Sequence, residues 1–178
     1  MQPKYHAGER LAETAFGRER LDVDGLPIRK GSCHCGGISF TVKLLEGLDK
    51  PRRCNCSFCR MRGAVVVTAL LGDIAFTRGE DLLRLYQFNT MKAEHYFCST
   101  CGIYTHHRRR SNPSHYSVNV ACLEGVSPFD FESVPVYDGI THHNDRPGGP
   151  AYKIAGQLRY SAAEPATGAT PRPVQKAP

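Results

Sequence analysis

Tryptophan is absent from this 178-residue chain, and no apolar run approaches the ~20 residues of a membrane-spanning helix. A helical transmembrane protein is therefore excluded. Met1–Lys30 carries charges throughout and no apolar stretch, so the reading expects no secretory signal and a cytoplasmic location. Against 17 Asp+Glu stand 23 Lys+Arg, a formal charge of +6, with no long basic tract. That excess permits anionic partners without selecting one. Aromatic residues are not interleaved with the basic ones as a single-strand stacking platform requires, which argues against nucleic acid. What the chain does have is eight cysteines, most of them clustered.

Long helical stripes are also missing. Apolar segments are short and β-branched: Ile38–Lys43 alternates, and Ala64–Leu70 (AVVVTAL) runs continuously, like a strand covered on both faces. Leu82–Phe88, Tyr96–Phe97, Ile103–His106, Tyr116–Val120 and Val134–Tyr137 repeat the theme, with Gly, Pro, Asp or Asn between them. The pattern predicts one mainly β domain over residues 31–143. Residues 1–30 read as a polar flank with room for a short helix around Gly8–Arg20. Asn144–Pro150 is a turn-rich break, and residues 144–178 read as loop followed by a disordered tail from Ser161, too poor in apolar bulk to offset ordering entropy. A domain of ~110 residues has a limited core, so something extra should tie it together.

The cysteines run Cys33-x-Cys35, Cys54-x-Cys56-x-x-Cys59 and Cys98-x-x-Cys101, with Cys122 alone. Disulfides are disfavoured by a reducing compartment and by strain at such close spacings. A redox Cys-x-x-Cys usually opens a helix after a strand, whereas Cys101 precedes Gly102 and the strand-like Ile103-Tyr104-Thr105. Zinc is the better reading. A structural zinc takes four closed ligands; a catalytic one takes three and keeps an open position. Cys54, Cys56 and Cys59 can close on one ion locally, leaving Cys33, Cys35, Cys98 and Cys101 for the other. Spacing alone permits other partitions. Cys122 sits in a strand pattern and reads as a small buried hydrophobe rather than a fourth ligand.

Arg52, Arg53, Arg60 and Arg62 flank the three-cysteine loop. They would favour an anionic zinc–thiolate site or grip the carboxylates of a peptide thiol, or they are simply solvated. Arg60 and Arg62 are the substrate-binding candidates. His95, Tyr96 and His142 lie near the motifs as acid/base candidates, without a decisive signal for any. His34 should point away from its metal. His106-His107 and Arg108–Arg110 read as a solvated strand end.

Gly31-Ser-Cys-His-Cys-Gly-Gly37, Cys54-Asn-Cys-Ser-Phe-Cys59, Phe97-Cys-Ser-Thr-Cys-Gly102 and Arg110-Ser-Asn-Pro113 are similar to motifs of the glutathione-dependent formaldehyde-activating enzyme and centromere protein V family. The resemblance runs from about Gly31 to Gly139. It implies a zinc-stabilised β-tent of several short bent antiparallel sheets. It also implies two zinc ions per chain, with Cys33, Cys35, Cys98 and Cys101 in the structural motif and Cys54, Cys56 and Cys59 in the catalytic-type motif. The implied activity is carbon–sulfur lyase chemistry of the S-hydroxymethylglutathione synthase type, on a glutathione-like thiol and a small aldehyde such as formaldehyde. The competing expectation is a zinc-stabilised module that binds nucleic acid or an acidic protein without catalysis.

Overall fold

The computed structural model describes residues 10–14, 17–21, 25–146, 148 and 152–163. In chain order the strands are β1 (Arg10–Thr14), β2 (Gly17–Leu21), β3 (Pro27–Ser32), β4 (Ser39–Lys43), β5 (Arg53–Cys54), β6 (Val66–Leu70) and β7 (Ile74–Arg78). There follow β8 (Leu83–Tyr86), β9 (Glu94–Cys98), β10 (Tyr104–Arg108), β11 (His115–Asn119), β12 (Ser133–Tyr137) and β13 (Ile154–Arg159). A single short helix, α1 (Ser57–Arg62), stands among these described residues. They build three sheets, ordered β1-β2-β3-β4-β7, β6-β11-β10-β9-β8 and β13-β12-β5. Neighbours are antiparallel except β12 and β5, which run parallel. The mainly β reading therefore holds. No helix among the described residues is long and apolar enough to cross a membrane.

Side-chain alternation explains the central strands. Along β4, Phe40 and Val42 are buried while Ser39, Thr41 and Lys43 are half-buried, as a one-sided strand requires. Val66, Val67, Thr68 and Ala69 of β6 are all buried, which accounts for their uninterrupted apolar run. Ile38, Phe40, Val42 and Leu44 meet Val67, Ala69, Val118 and Val120 in one core between the first two sheets. Each large side chain there contributes roughly 1.5–3 kcal/mol by leaving water.

Two expectations are corrected. Among the described residues of Gly8–Arg20 no helix forms; β1 and β2 pair antiparallel, with a register that runs from Arg10 opposite Leu21 to Thr14 opposite Gly17. Gly17 costs a helix interior about 1 kcal/mol, whereas the edge of β3 offers the same backbone a ladder. Beyond Asn144, a stretch read as loop and tail, Ile154–Arg159 forms β13 on β12. Every residue of β13 is exposed, so pairing rather than burial holds it, and no hydrophobic alternation announces it. Residues 164–178 of the expected disordered tail lie outside the described residues.

His106 occupies the seam between the first two sheets. It stacks on Tyr96 at 4.7 Å, meets Phe76 of β7 at 5.7 Å and takes the edge of Tyr116 at 5.2 Å. Burial holds its pKa down at about 4, against 6.5 for an exposed imidazole. Above pH 6.5 neither folded nor unfolded chain carries that proton. As pH falls from 6.5 towards 4, the unfolded chain takes it up and the native chain does not, so stability is lost. The slope is about 1.4 kcal/mol per pH unit for one such group. His106→Phe should flatten the loss of stability over this window in urea unfolding; an unchanged slope would remove His106 as its source.

Candidate functional site

Loops at the ends of two sheets carry the cysteines. Cys33 and Cys35 sit in the β3–β4 turn; Cys98 ends β9, and Cys101 lies in the turn to β10. Their four Sγ atoms lie within 4.8 Å of one another. Cys33 and Cys35 are 3.5 Å apart, and Cys35 and Cys98 are 3.8 Å apart. Four sulfurs each about 2.3 Å from one zinc would stand about 3.8 Å apart at tetrahedral corners. Backbone N–H groups aim at sulfur: Ile38 N donates to Cys33 Sγ at 3.2 Å and Thr100 N to Cys98 Sγ at 3.4 Å. Gly102 supplies the left-handed residue that closes the second turn, with φ at 71°. Burial pushes the Cys33 thiol up to about 12, while Cys101, half-buried and bonded by backbone N–H groups, is pulled down to about 6. This donor set could hold zinc.

The second cluster is local. Cys54 ends β5, Cys56 caps α1 by accepting from Cys59 N at 3.4 Å, and Cys59 lies in the helix. Cys56 N in turn donates to Cys54 Sγ at 3.4 Å. The three Sγ atoms also lie within 4.8 Å of one another. Hydrogen bonds from Cys54 and Cys59 hold Cys56 far down as a thiolate. Cys54, bonded to Cys56, is pushed up to about 11, and Cys59, bonded to Cys54 and Cys56, is pushed up further. This set too could hold zinc. The β12 end seats the loop: Asn55 Oδ1 accepts from Gly139 N at 2.7 Å and Ile140 N at 3.3 Å. Gly139 must lack a side chain, because a Cβ there would overlap Cys54 Sγ.

The clusters differ in access. Cys33 and Cys98 are buried in the core. Cys54, Cys56 and Cys59 line a cavity of about 530 Å³. Arg52, Arg53, Arg60, Arg62, Arg109 and Arg110 line it too. Arg60 is exposed and Arg62 half-buried. Arg109 and Arg52 each donate to Thr68 Oγ1 at 2.6 Å; Arg109 also bonds Ser117 Oγ at 2.6 Å, and Arg52 bonds Glu46 at 3.2 Å. Burial, then the neighbouring Arg52, pull Arg109 down to about 10, so it stays charged at neutral pH. The two guanidinium groups thus share the Thr68 hydroxyl while Arg52 alone meets the Glu46 carboxylate, which leaves positive charge lining the cavity.

Arg62 spans the cavity's sulfur and aromatic sides. Its Nη2 donates to Cys59 Sγ at 3.5 Å and its Nη1 to His95 Nδ1 at 3.1 Å. Its guanidinium lies 3.4 Å from the centroid of Tyr104 and 4.9 Å from that of Phe58. His95 is buried and lines the cavity; burial, then the Arg62 charge, pull its pKa down to about 4. His142 also lines the cavity, with Nδ1 accepting from Asn144 N at 3.1 Å. Tyr96 is not among the lining residues; its hydroxyl donates to Glu94 at 3.0 Å. His34 is exposed, and Cys122 is buried beside Tyr104 O and Asn119.

The solvated strand end expected at His106–Arg110 is corrected. His106 and Arg109 are buried; His107 Nδ1 meets the Tyr104 hydroxyl at 2.5 Å; Arg108 and Arg110 pair with Glu94 and Asp145. A run of charge hides strand alternation, and the sequence offers no signal that Arg109 and Arg52 converge on Thr68. The contact of Gly139 with Cys54 has no sequence signal either, because the two lie far apart along the chain.

Two comparisons bear on this geometry. A family model described as glutathione-dependent formaldehyde-activating enzyme matches residues 28–135. The crystal structure of a Rhodobacter sphaeroides protein is similar at 59% sequence identity and a TM-score of 0.59, over 60% of this chain and 98% of that one.

Gly139→Ala should lower the zinc content of the reconstituted protein from two ions to one, as read by elemental analysis, by pushing Cys54 off its cluster. Retention of both ions would show that the loop can move aside.

Proposed function

Because the chain belongs to the glutathione-dependent formaldehyde-activating enzyme family, we propose that it is a zinc-dependent carbon–sulfur lyase-type enzyme. Its substrate on this reading is the adduct of a glutathione-like thiol with a small aldehyde such as formaldehyde. The observation that carries the reading is the meeting of three sulfurs and six arginines on one cavity wall. Cys33, Cys35, Cys98 and Cys101 would hold a structural ion, contributing on the order of 10 kcal/mol coupled to folding. Held by Cys54, Cys56 and Cys59, a zinc ion with an open position would supply the Lewis acidity that makes an arriving thiol a thiolate at neutral pH. A reducing cytoplasm suits eight free cysteines and is the compartment we assign.

The chain's own residues bind and orient. Arg60, exposed at the mouth, meets a carboxylate of the thiol first, and Arg110 and the Arg52–Arg109 pair offer deeper positive charge. Arg62 lies against Cys59 and contributes from beneath, through charge rather than through a free face. The thiolate sulfur adds to the carbonyl carbon, the C=O electron pair moves to oxygen, and a proton from water completes the hemithioacetal. Reversal is C–S cleavage. Phe88, backed by Phe58, lines the cavity with the sulfur loop and limits water on that side of the reacting atoms.

Zinc-loaded protein mixed with glutathione and formaldehyde should speed their interconversion with S-hydroxymethylglutathione above the uncatalysed rate, followed by exchange NMR. Cys59→Ala should return the rate to background. Arg60→Glu should raise KM about tenfold, equivalent to about 1.4 kcal/mol, with kcat little changed. A wild-type rate no higher than background across a panel of small thiols, or full activity in Cys59→Ala, would refute the reading.

A further inference from the structure

We infer that His95 is a catalytic hydrogen-bond donor, presenting a neutral Nε2–H to the oxygen that gains charge when the thiolate adds to the aldehyde. The inference rests on the reaction proposed above. Its starting point is a constraint on one proton. A guanidinium has only donors, so the Arg62 Nη1 contact at 3.1 Å obliges His95 Nδ1 to accept. A neutral imidazole carries one N–H, and with Nδ1 accepting, that hydrogen is on Nε2. Among the described residues none bonds Nε2, and the ring lines the cavity that Cys54, Cys56 and Cys59 line.

Six contacts keep this pair in place. Arg62 is pinned by Cys59 Sγ and by the faces of Tyr104 and Phe58. The imidazole is stacked on Phe88 at 5.8 Å and 19°, and Phe58 and His107 crowd it at 4.6 Å and 4.9 Å. Turning the imidazole over would put Cδ2 in place of Nδ1 and lose the Arg62 bond, and moving Arg62 would break its contacts with Cys59, Tyr104 and Phe58. A general-base role for His95 is closed by the same geometry. Its free nitrogen already holds a proton, and a second proton would set an imidazolium against the Arg62 guanidinium in a buried site. A neutral imidazole N–H is nonetheless an effective partner for a carbonyl oxygen becoming an alkoxide.

Two neighbouring hydroxyls are occupied. The Tyr104 hydroxyl is taken by His107 Nδ1 and by Ser117 O, and the Tyr96 hydroxyl by Glu94. In the step itself the sulfur lone pair forms the C–S bond and the C=O π pair becomes the alkoxide lone pair. His95 keeps its proton while bonding that oxygen, and water then protonates it. In the cleavage direction the same donor holds the alkoxide as the C–S bond breaks. Arg62 is a positioning residue on this account: it sets which nitrogen of His95 faces the substrate.

The test has two arms on the full-length zinc-loaded protein. Long-range ¹H–¹⁵N NMR should show His95 as the neutral Nε2–H tautomer from pH 6 to 8, and Arg62→Met should convert it to a mixture of tautomers. In turnover, His95→Ala should lower kcat about 100-fold with little change in KM, and His95→Gln, which keeps an N–H donor, should recover part of the loss. Thermal unfolding of both variants identifies a folding defect, and NMR on the wild type decides the tautomer even if one arises. An Nδ1–H or imidazolium signal at neutral pH, or a wild-type kcat in a folded His95→Ala, overturns the inference alone. No wild-type turnover with any thiol overturns the reaction and the catalytic role together, whatever the tautomer.

Discussion

Sulfur atoms contributed by distant parts of the chain lie closer together than a set of thiolates can tolerate without a counter-charge. Cys33 and Cys35 reach Cys98 and Cys101 across more than sixty residues of sequence, and such packing suits one shared cation. The β3–β4 and β9–β10 turns that deliver these sulfurs belong to different sheets, so the cluster ties the first sheet to the second. A core centred on Ile38, Phe40, Val67 and Val118 does the rest of that work. The three-sulfur group uses the same chemistry with fewer donors and a wall open to a cavity.

Positive charge completes the picture. The arginines around the cavity are not a solvated fringe: Arg109 is buried, Arg62 is wedged between Tyr104 and Cys59, and Arg52 shares Thr68 with Arg109. Burying guanidinium groups is costly, and a wall built this way is suited to ligands that bring carboxylates. Burial, and after it the Arg62 charge, keeps His95 neutral, so that a cation next to the sulfur loop bears on both the binding character of the cavity and the protonation of its imidazole.

Much of this was legible before any coordinates. Alternation located β4, β9, β10, β11 and β12, and the uninterrupted run at Ala64–Leu70 identified β6 as buried on both faces. Spacing admitted several partitions of the cysteines, and the four-plus-three division favoured from coordination number is the one that assembles in space. Elements held by pairing rather than by burial stayed hidden: β13 is exposed throughout, and the β1–β2 pair sits in polar sequence that admitted a helix. The cavity wall was hidden for a related reason. A buried arginine or histidine looks the same in sequence as an exposed one, and Arg109 and Gly139 acquire their meaning from Thr68 and Cys54, each remote along the chain.

The account turns on two sulfur-bound cations, one closed by protein and the other open to a thiol. Anomalous diffraction at the zinc edge, on crystals grown without and with a small thiol, tests this most directly. The account predicts two peaks: one surrounded by Cys33, Cys35, Cys98 and Cys101, the other by Cys54, Cys56 and Cys59 plus a non-protein ligand that the thiol sulfur replaces. A second peak fully enclosed by protein atoms, or no peak with the cysteines joined as disulfides, would contradict it.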